Sequence, residues 1–521
     1  EIPAGALAVH GITTERAQAM GRDAKGVVGE IKEVQVGLPS GHNDFAGTKD
    51  KNTATPPPPE LDYDKWIGPS KMIDYIEARV HKNWRWHYNF GGGQLLVAFV
   101  FGEVVSQYPI HGGIYPWTRR LWGRRYAWMA AWVYIWAMIV TITAVAEYGS
   151  GFAASLFGIE VTSTSTFLIT LAFLLVAFAI NFSGTKSLAR VARIGLAAEL
   201  VGVIGLGLYL LLFQRQQGFD VFFNSMGTEG DGNYGTAFLG AALAGLFLFY
   251  GFEACGDVAE EVENPAKRIP LAMIMTILVG GVSALFAFGG YVLAAPNLAD
   301  IVSGADADPI PGILNASLGV VGGKIFLVVA LTAFLSCVLS LQAAASRLLF
   351  AFGRDEMLPG HRWLSKVSPT TKVPINALIV ACSVPAIIAL LVYLNGNLLV
   401  PVTAFAVIGI YIAFQMVVLA ALRQRMKGWR PAGPFSLGMA GYVINIAALA
   451  WGVFAIILLA VPGSSGNFAA DWVVLLGLGV VLGTGLLYLL IARPDRKSDA
   501  PAGDAIEVAA KLRAHDAKAS V

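Results

Sequence analysis

The chain has 521 residues, of which 56% are hydrophobic and only 14% are charged, and its mean hydropathy is +0.62. A soluble protein of this size is not so apolar, and several apolar runs reach the ~20 residues that cross a ~30 Å hydrocarbon core. The composition excludes a soluble protein and predicts an all-α polytopic membrane protein. The net charge of +2 comes from basic residues in short loops and not from a patch, so no nucleic-acid partner is expected.

Cysteine and histidine give no sign of a metal site. Cys255, Cys337 and Cys382 lie within apolar segments at unrelated spacings, which fits neither a disulfide framework nor a zinc site. His81 and His87 have no carboxylate or cysteine at metal-binding spacing beside them. We interpret these two histidines as surface or packing residues.

Residues 1–90 differ from the rest because they are polar, contain the run Pro56 to Pro59 and include no apolar span. Segment 30–41 has the pattern of a strand that ends in a turn, and residues 56–70 form an extended, proline-rich connection. The chain starts at Glu1 without a signal segment, so we expect a fragment or a processed chain. The pattern predicts a small α+β unit.

Three separated blocks in this region carry a resemblance: GEIKEVQVGLPSG, PPPPELDYDKWIGP and HKNWRWHYNFGGGQLL. In this order they resemble the opening of the substrate domain of the Gfo/Idh/MocA oxidoreductases, over about residues 25–96. The resemblance implies NAD(P) bound at a glycine-rich Rossmann turn and a Lys in an E-K-P motif, and both motifs are absent from this sequence. We expect no cofactor and no enzyme activity. A membrane-anchored fragment of an NAD-dependent oxidoreductase is the alternative interpretation of the chain.

From Leu95 onward, hydropathy predicts eleven membrane spans, of which the first is short. The predicted spans are 94–109, 127–157, 165–183, 194–213, 236–263, 270–294, 322–352, 374–394, 398–422, 439–461 and 470–492.

Lys and Arg are concentrated in alternate loops, which the positive-inside rule places in the cytoplasm. These residues are Arg119, Arg120, Arg124, Arg125, Lys186, Arg190, Arg193, Lys267, Arg268, Arg354, Arg362, Lys366, Lys372, Arg423, Arg425, Lys427, Arg430, Arg493, Arg496 and Lys497. The same alternation places Gly91 outside, although residues 1–90 carry no export signal. One helix before residue 94 would remove this conflict.

The fifth span is interrupted at Tyr250-Gly251-Phe252-Glu253, where a glycine and an acid follow an apolar half-helix. A helix broken inside a bilayer leaves amide and carbonyl groups that a substrate, an ion or enclosed water must satisfy. An intramembrane acid is also costly unless it has a role. We favour a binding site here over a simple glycine kink with an acidic cytoplasmic end.

Three blocks of the apolar part carry a second resemblance: GEVVSQYPIHGGIYPWTRRLWGRRYAW (102–128), FYGFEACGDVAEEVENPAKRIPLAM (249–273) and SLQAAASRLLFAFGRDEMLPGHRWLSKVSPTTKVPINAL (340–378). They are similar to motifs of the amino acid-polyamine-organocation (APC) superfamily, over about residues 95–493. The resemblance implies the LeuT-like fold, in which two inverted five-helix repeats enclose a substrate site between broken helices one and six. Counted against that fold, the chain lacks helix one. We divide it into an oxidoreductase-like fragment (1–93), a permease of about eleven helices (94–493) and a loose cytoplasmic tail with a short helix (494–521).

The broken helix is the expected substrate site. Backbone groups of Tyr250, Gly251 and Phe252, together with Ala254 and Cys255, are expected to line the cavity, with Phe249 or Phe252 as an aromatic lid; packing is the alternative for each ring. Glu253 is expected to pair with a substrate ammonium or to take up a proton.

Further residues are predicted for coupling and gating. Glu199 stands roughly where some relatives place a coupling lysine, with a structural salt bridge as the alternative, and Glu147 is a weaker candidate of the same kind. Ser336 and Ser340 are four residues apart where relatives place hydroxyls at an ion site or a former ion site, with helix packing as the alternative. The motif residues Glu103, Tyr115, Arg354 and Asp355 are expected to form ion pairs of an inside gate and not substrate contacts.

The sequence thus predicts a secondary active transporter of an amino acid or related amine in the cell membrane. Alternating access would be coupled to a proton or sodium, or would work by exchange. The expected partners are a small-molecule substrate and the lipid bilayer. Because helix one supplies half of the site in the family, we expect transport by this chain to be impaired.

Overall fold

The computed structural model describes residues 92–223, 242–303, 309–461 and 468–519. Within these ranges the regular secondary structure is helical and no strand occurs, which confirms the all-α class. The predicted α+β fragment, including His81 and His87, lies outside the described residues.

Nineteen α-helices follow one another along the described ranges. In chain order they are α1 Gly92–Gln107, α2 Ile114–Leu121, α3 Arg124–Phe157, α4 Ser163–Phe182, α5 Thr185–Glu199, α6 Gly205–Phe213, α7 Ala242–Leu248, α8 Ala254–Asp257, α9 Pro265–Ala294, α10 Leu298–Ser303, α11 Pro309–Arg354, α12 His361–Leu364, α13 Ile375–Leu394, α14 Leu399–Met426, α15 Ala440–Leu459, α16 Phe468–Asp471, α17 Val473–Ala492, α18 Pro494–Lys497 and α19 Ala505–Ala519.

Nine spans of the described residues are long and apolar enough to cross a membrane, and they coincide with nine of the predicted spans. They are α3, α4, the α5–α6 pair, α9, α11, α13, α14, α15 and α17. The predicted short first span is α1, an apolar helix of 16 residues. The predicted broken span is described from Ala242 onward, as α7 and α8.

Two irregularities were not expected from hydropathy. A π-helical turn, Leu200–Ile204, separates α5 from α6, and Gly319 has a non-helical backbone (φ 66°) inside α11. A π turn inserts an extra residue without changing the apolar character of a span. Hydropathy therefore contains no signal for it.

Helices α3 and α14 form the centre of the bundle. In an apolar stretch of 18 residues, 83% of the residues are buried in α3 and 78% in α14, but only 6% are buried in α17. The peripheral helices instead expose large apolar side chains such as Phe288, Ile387 and Val443. Lipid tails are as apolar as these side chains, so their exposure is the expected arrangement in a bilayer.

Helices α6 and α9 cross with their backbones in contact at Gly207 and Gly290. An ideal Cβ at Gly290 would lie 2.6 Å from the Gly207 carbonyl oxygen, and one at Gly207 would lie 2.5 Å from the backbone of Phe286. Small residues permit this close approach of membrane helices.

Gly290→Val should therefore force α6 and α9 apart. We expect it to lower the free energy of unfolding by roughly 1–3 kcal/mol, the usual cost of overpacking. Gly280→Val is the matched control, because it lies on the same helix and no atom is within 4 Å of its Cβ position. Thermal unfolding in detergent measures both variants, and equal midpoints would contradict the assigned crossing.

The C-terminal tail contains the short helix that was expected, α19, but it is not loose, and that part of the prediction is wrong. Ala505, Val508 and Ala509 of α19 belong to the main buried cluster. An alanine-rich, charged segment does not reveal from its sequence alone that a complementary surface exists elsewhere in the chain.

Candidate functional site

The predicted break lies between α7, which ends at Leu248, and α8, which begins at Ala254. Gly251 has φ 98°, a backbone conformation that side chains with a Cβ rarely adopt. No atom lies within 4 Å of its Cβ position, so conformation and not lack of space explains the glycine. The Gly251 N–H donates to Glu253 Oε2 at 2.8 Å. The acid thus satisfies an amide that the break releases.

Glu253 is only 3% exposed, and both of its carboxylate oxygens are occupied. Its Oε2 accepts from Gly251, and its Oε1 accepts from the Tyr134 hydroxyl at 3.1 Å. Glu253 therefore fixes the shape of the break in this conformer. The predicted pairing with a substrate ammonium would require one of these bonds to be exchanged.

Two further hydroxyls hold the first half of the broken helix. Tyr411 of α14 donates to the carbonyl oxygen of Leu246 at 3.3 Å, and the Tyr250 hydroxyl lies 3.3 Å from Thr141 Oγ1 on α3. The central helices α3 and α14 therefore position this half. Beside them, Phe249, Ala254 and Cys255 are half-buried.

Phe252 packs inside the protein. Its side chain is 1% exposed, and its ring centroid lies 5.8 Å from that of Phe101 and 5.3 Å from that of Phe414. Aromatic pairs at such distances stabilise a packed core. This ring is an anchor between α1 and α14, so Phe249 remains the candidate for a lid.

Sequence reasoning missed Asp257 as a site residue. It is fully buried, its Oδ2 lies 3.4 Å from the Tyr134 hydroxyl, and its Oδ1 has no hydrogen-bond partner among the residues described. Its carbonyl oxygen accepts from His111 Nδ1 at 2.8 Å and from the Gly112 N–H at 3.4 Å. The spacing of four residues from Glu253 was a usable signal, since such positions share one face of a helix.

Three of the predicted gating residues, Tyr115, Arg354 and Asp355, are brought together by Arg119. The Arg119 guanidinium forms an ion pair with Asp355, donates to the Tyr115 hydroxyl at 3.4 Å and lies 5.1 Å from the centroid of that ring. Arg354 Nε is 3.3 Å from Asp355 Oδ1. Burial lowers the pKa of Arg119 to about 10, so it remains charged at neutral pH. Arg119 was not predicted as a gate residue.

Glu103, the fourth predicted gating residue, lies in a separate cluster. It is 1% exposed, forms an ion pair with Arg425 at the end of α14 and accepts from the Leu437 N–H at 2.7 Å. This pair joins α1 to α14 and to the loop that follows it.

The predicted coupling residues do not meet at the break. Glu199 is exposed at the end of α5, one turn after Gly195, whose Cβ position lies 2.3 Å from Ser336 on α11. The Ser340 hydroxyl donates to the Ser336 carbonyl oxygen at 2.8 Å, a bond within its own helix that fits the packing alternative. Glu147 is buried on α3, about 9 Å along the axis beyond Thr141.

In the described ranges, no hydrogen bond joins these four side chains to the broken helix. No group of His, Cys, Asp and Glu within them could hold a metal ion.

Comparisons with known proteins match two parts of the chain. A sequence profile of the amino acid permease family matches residues 88–484, and one described as "Oxidoreductase family, C-terminal alpha/beta domain" matches residues 23–98. An uncharacterized amino-acid permease of Schizosaccharomyces pombe is 26% identical over 434 residues, which cover 78% of this chain and 77% of that protein.

Two further relatives carry functional names. The choline transporter of Saccharomyces cerevisiae is 26% identical over 374 residues, 69% of this chain and 66% of that protein. A branched-chain amino acid permease of Lactococcus lactis is 27% identical over 281 residues, 50% of this chain and 59% of that protein. The described residues contain nine long apolar spans beside the broken helix, and the profile match covers most of the chain, so the chain belongs to the amino acid permease family.

Proposed function

We propose that residues 94–493 form a secondary active transporter that moves an amino acid or a related amine across the plasma membrane by alternating access. The observation that carries this proposal is the break at Gly251, held by Glu253 at 2.8 Å between α3 and α14, the most buried of the long apolar spans in the described residues. Discontinuous membrane helices of this kind form substrate sites at the bilayer midplane. The coupling would use a proton or sodium, or the protein would work as an exchanger.

The site suits a small zwitterion or amine. Backbone groups of Tyr250, Gly251 and Phe252 would bind its polar end, and the half-buried Cys255 and Phe249 would contact its side chain. The Glu253 carboxylate behind Gly251 supplies the negative charge that an ammonium group favours. The functions that name two of the relatives, choline and branched-chain amino acid transport, fall within this class.

Alternating access is supported by the different partners of the two half-helices. The first half is held by Tyr411 and Thr141 on the central helices. The second half contacts the segment before and within α2, where an ideal Cβ at Gly256 would lie 2.3 Å from the Trp117 ring. A hinge at Gly251 would let α2 and α8 move as one body relative to the bundle.

The two profile matches overlap at residues 88–98, immediately before the first apolar helix. We infer that residues 1–93 are an oxidoreductase-like fragment and that helix one of the family is not contained in residues 94–493. The half of the substrate site that helix one forms in the family would then have to come from another segment. Residues 94–521 preceded by the first-helix segment of the S. pombe relative, a protein termed the helix-one hybrid, would provide it.

The match over residues 23–98 favours a second candidate, an anchored fragment of an NAD-dependent oxidoreductase. Its glycine-rich turn and E-K-P motif are missing from the sequence. Titration of the full chain with NADH, followed by nucleotide fluorescence, should give no saturable binding. Saturable binding would favour this candidate over the transporter.

Substrate binding can be tested at Cys255, the cysteine nearest the break. In a helix-one hybrid with Cys337→Ser and Cys382→Ser, a substrate at ten times its dissociation constant should slow modification of Cys255 by a thiol reagent about tenfold. Amino acids and amines, including choline, are the probes. The same cysteine variant of the full chain is the control and should show no protection. A correctly inserted hybrid that none of these compounds protects would contradict the proposed site.

A further inference from the structure

The C-terminal tail, residues 494–519, binds the short helix α2 beneath the broken helix. Asp504 forms an ion pair with Arg120. The Gly503 N–H donates to the Arg119 carbonyl oxygen at 2.9 Å, and Gln107 Nε2 donates to the Ala505 carbonyl oxygen at 3.2 Å. The tail therefore contacts both ends of the connection between α1 and α3.

The docking surface extends beyond α2. Arg124 Nε donates to the Ala500 carbonyl oxygen at 3.0 Å, and Arg125 Nε lies 2.6 Å from Asp495 Oδ2. At the other end, Arg513 donates to the Arg430 carbonyl oxygen at 2.7 Å. The apolar face of α19 is buried at the same time. So many contacts define one docked position of the tail.

Helix α2 connects the tail to the gate and to the substrate site. The backbone of Arg119 binds the tail while its side chain pairs with Asp355 on the segment after α11. Trp117 packs against Gly256 of α8, and Gly113 lies against Asp257, whose Oδ1 would be 2.6 Å from a Cβ at that position. Because the tail also contacts α3 and the loop after α14, any movement of α2 together with α8 relative to these elements must strain or release the tail.

We propose that the docked tail is a latch that stabilises the conformer with a closed cytoplasmic side. Opening that side requires α2 to leave Asp355, and the bonds from Asp504 and Gly503 oppose this movement for as long as the tail is docked. Undocking of the tail would therefore precede release of substrate to the cytoplasm. This proposal rests on the proposed transport function, but its test does not measure transport.

The test uses the full chain with Cys337→Ser and Cys382→Ser in inside-out vesicles. Asp504→Asn removes the charge that pairs with Arg120, and Asp499→Asn is the matched control because Asp499 is exposed on the same tail. Trypsin cleavage after Lys511 and Arg513 reports undocking. Modification of Cys255 by a membrane-impermeant thiol reagent reports opening of the cytoplasmic side.

We expect Asp504→Asn to accelerate both reactions roughly tenfold, the effect of one lost charge-assisted hydrogen bond, and Asp499→Asn to change neither.

Arg125→Gln is a second variant. The Arg125 side chain is 59% exposed, so the substitution should preserve folding, and it should accelerate both reactions more weakly than Asp504→Asn. Faster cleavage with unchanged Cys255 modification in both variants would show a purely structural tail and overturn the latch. Unchanged rates of both reactions would overturn it as well. Transport failure of the helix-one hybrid would count against the proposed function and leave these two rates unaffected.

Discussion

Glu253→Ala should reduce transport by the helix-one hybrid at least about a hundredfold. The substitution leaves the part-buried Gly251 N–H without its acceptor, and the Tyr134 hydroxyl keeps only its longer bond to Asp257 Oδ2 at 3.4 Å. An unsatisfied amide that is shielded from water costs about 1–3 kcal/mol, and the bond that holds Gly251 at φ 98° is lost. Initial uptake rates in proteoliposomes measure the loss. Glu263→Gln is the control, because the Glu263 side chain is 53% exposed.

Glu253→Gln separates the charge of this residue from its geometry. The amide oxygen can accept from Gly251, the amide nitrogen can donate to the Tyr134 hydroxyl, and that hydroxyl can donate to Asp257, whose Oδ2 is 3.4 Å away. We expect the unfolding midpoint to be unchanged but uptake to fall at least about tenfold, since an amide neither takes up a proton nor attracts an ammonium group. Uptake equal to that of the parent hybrid would show that Glu253 has only a structural role.

Arg119→Met should be among the most destabilising substitutions in the loop regions. It leaves Asp355 without its principal partner, and the Asp355 side chain is only 9% exposed. Breaking one side of a buried ion pair costs about 3–5 kcal/mol, whereas an exposed pair contributes about 0–1 kcal/mol. Arg268→Met is the matched control, because Arg268 pairs with Glu263 at 3.1 Å and both side chains are about half exposed. Unfolding in detergent should separate the two variants clearly.

The double variant Arg119→Met with Asp355→Leu tests the physical reason for this cost. Replacing both charges by apolar groups removes the stranded carboxylate, so the double variant should be more stable than Arg119→Met alone. If the double variant is less stable than the single one by the full cost of a second buried charge, the two residues do not interact. Such a result would contradict the assignment of the gate pair.

The position of the break was predictable, whereas the partners that hold it were not. A glycine followed by an acid in an apolar run identifies Gly251 and Glu253, because a charged side chain inside a membrane span is costly unless it has a function. Tyr134 is 119 residues away on α3, and hydropathy does not define which way that helix is rotated. The packing of Phe252 could not be predicted for the same reason, and the sequence alone left a core role and a lid role equally open.

For the predicted gate, too, some residues could be predicted from the sequence but their partners could not. Asp355 and Tyr115 belong to motifs that resemble those of the APC superfamily, so the sequence alone was enough to predict them as gate residues. Arg119 was one of several loop arginines, and its pairing with Asp355 spans 236 residues. Helix α19 is a stronger example, because its docking depends on a surface built from α1, α2, α3 and the loop after α14. Contacts between distant segments follow from packing, which local patterns do not encode.

Uptake of radiolabelled amino acids and choline into proteoliposomes tests the central claim most directly. Three proteins should be compared: the helix-one hybrid, its Glu253→Ala variant and the full chain. The account predicts saturable uptake by the hybrid that Glu253→Ala abolishes, and little or none by the full chain. A correctly inserted hybrid that moves none of these compounds, while the S. pombe relative does so in the same assay, would contradict the assignment of transport to residues 94–493.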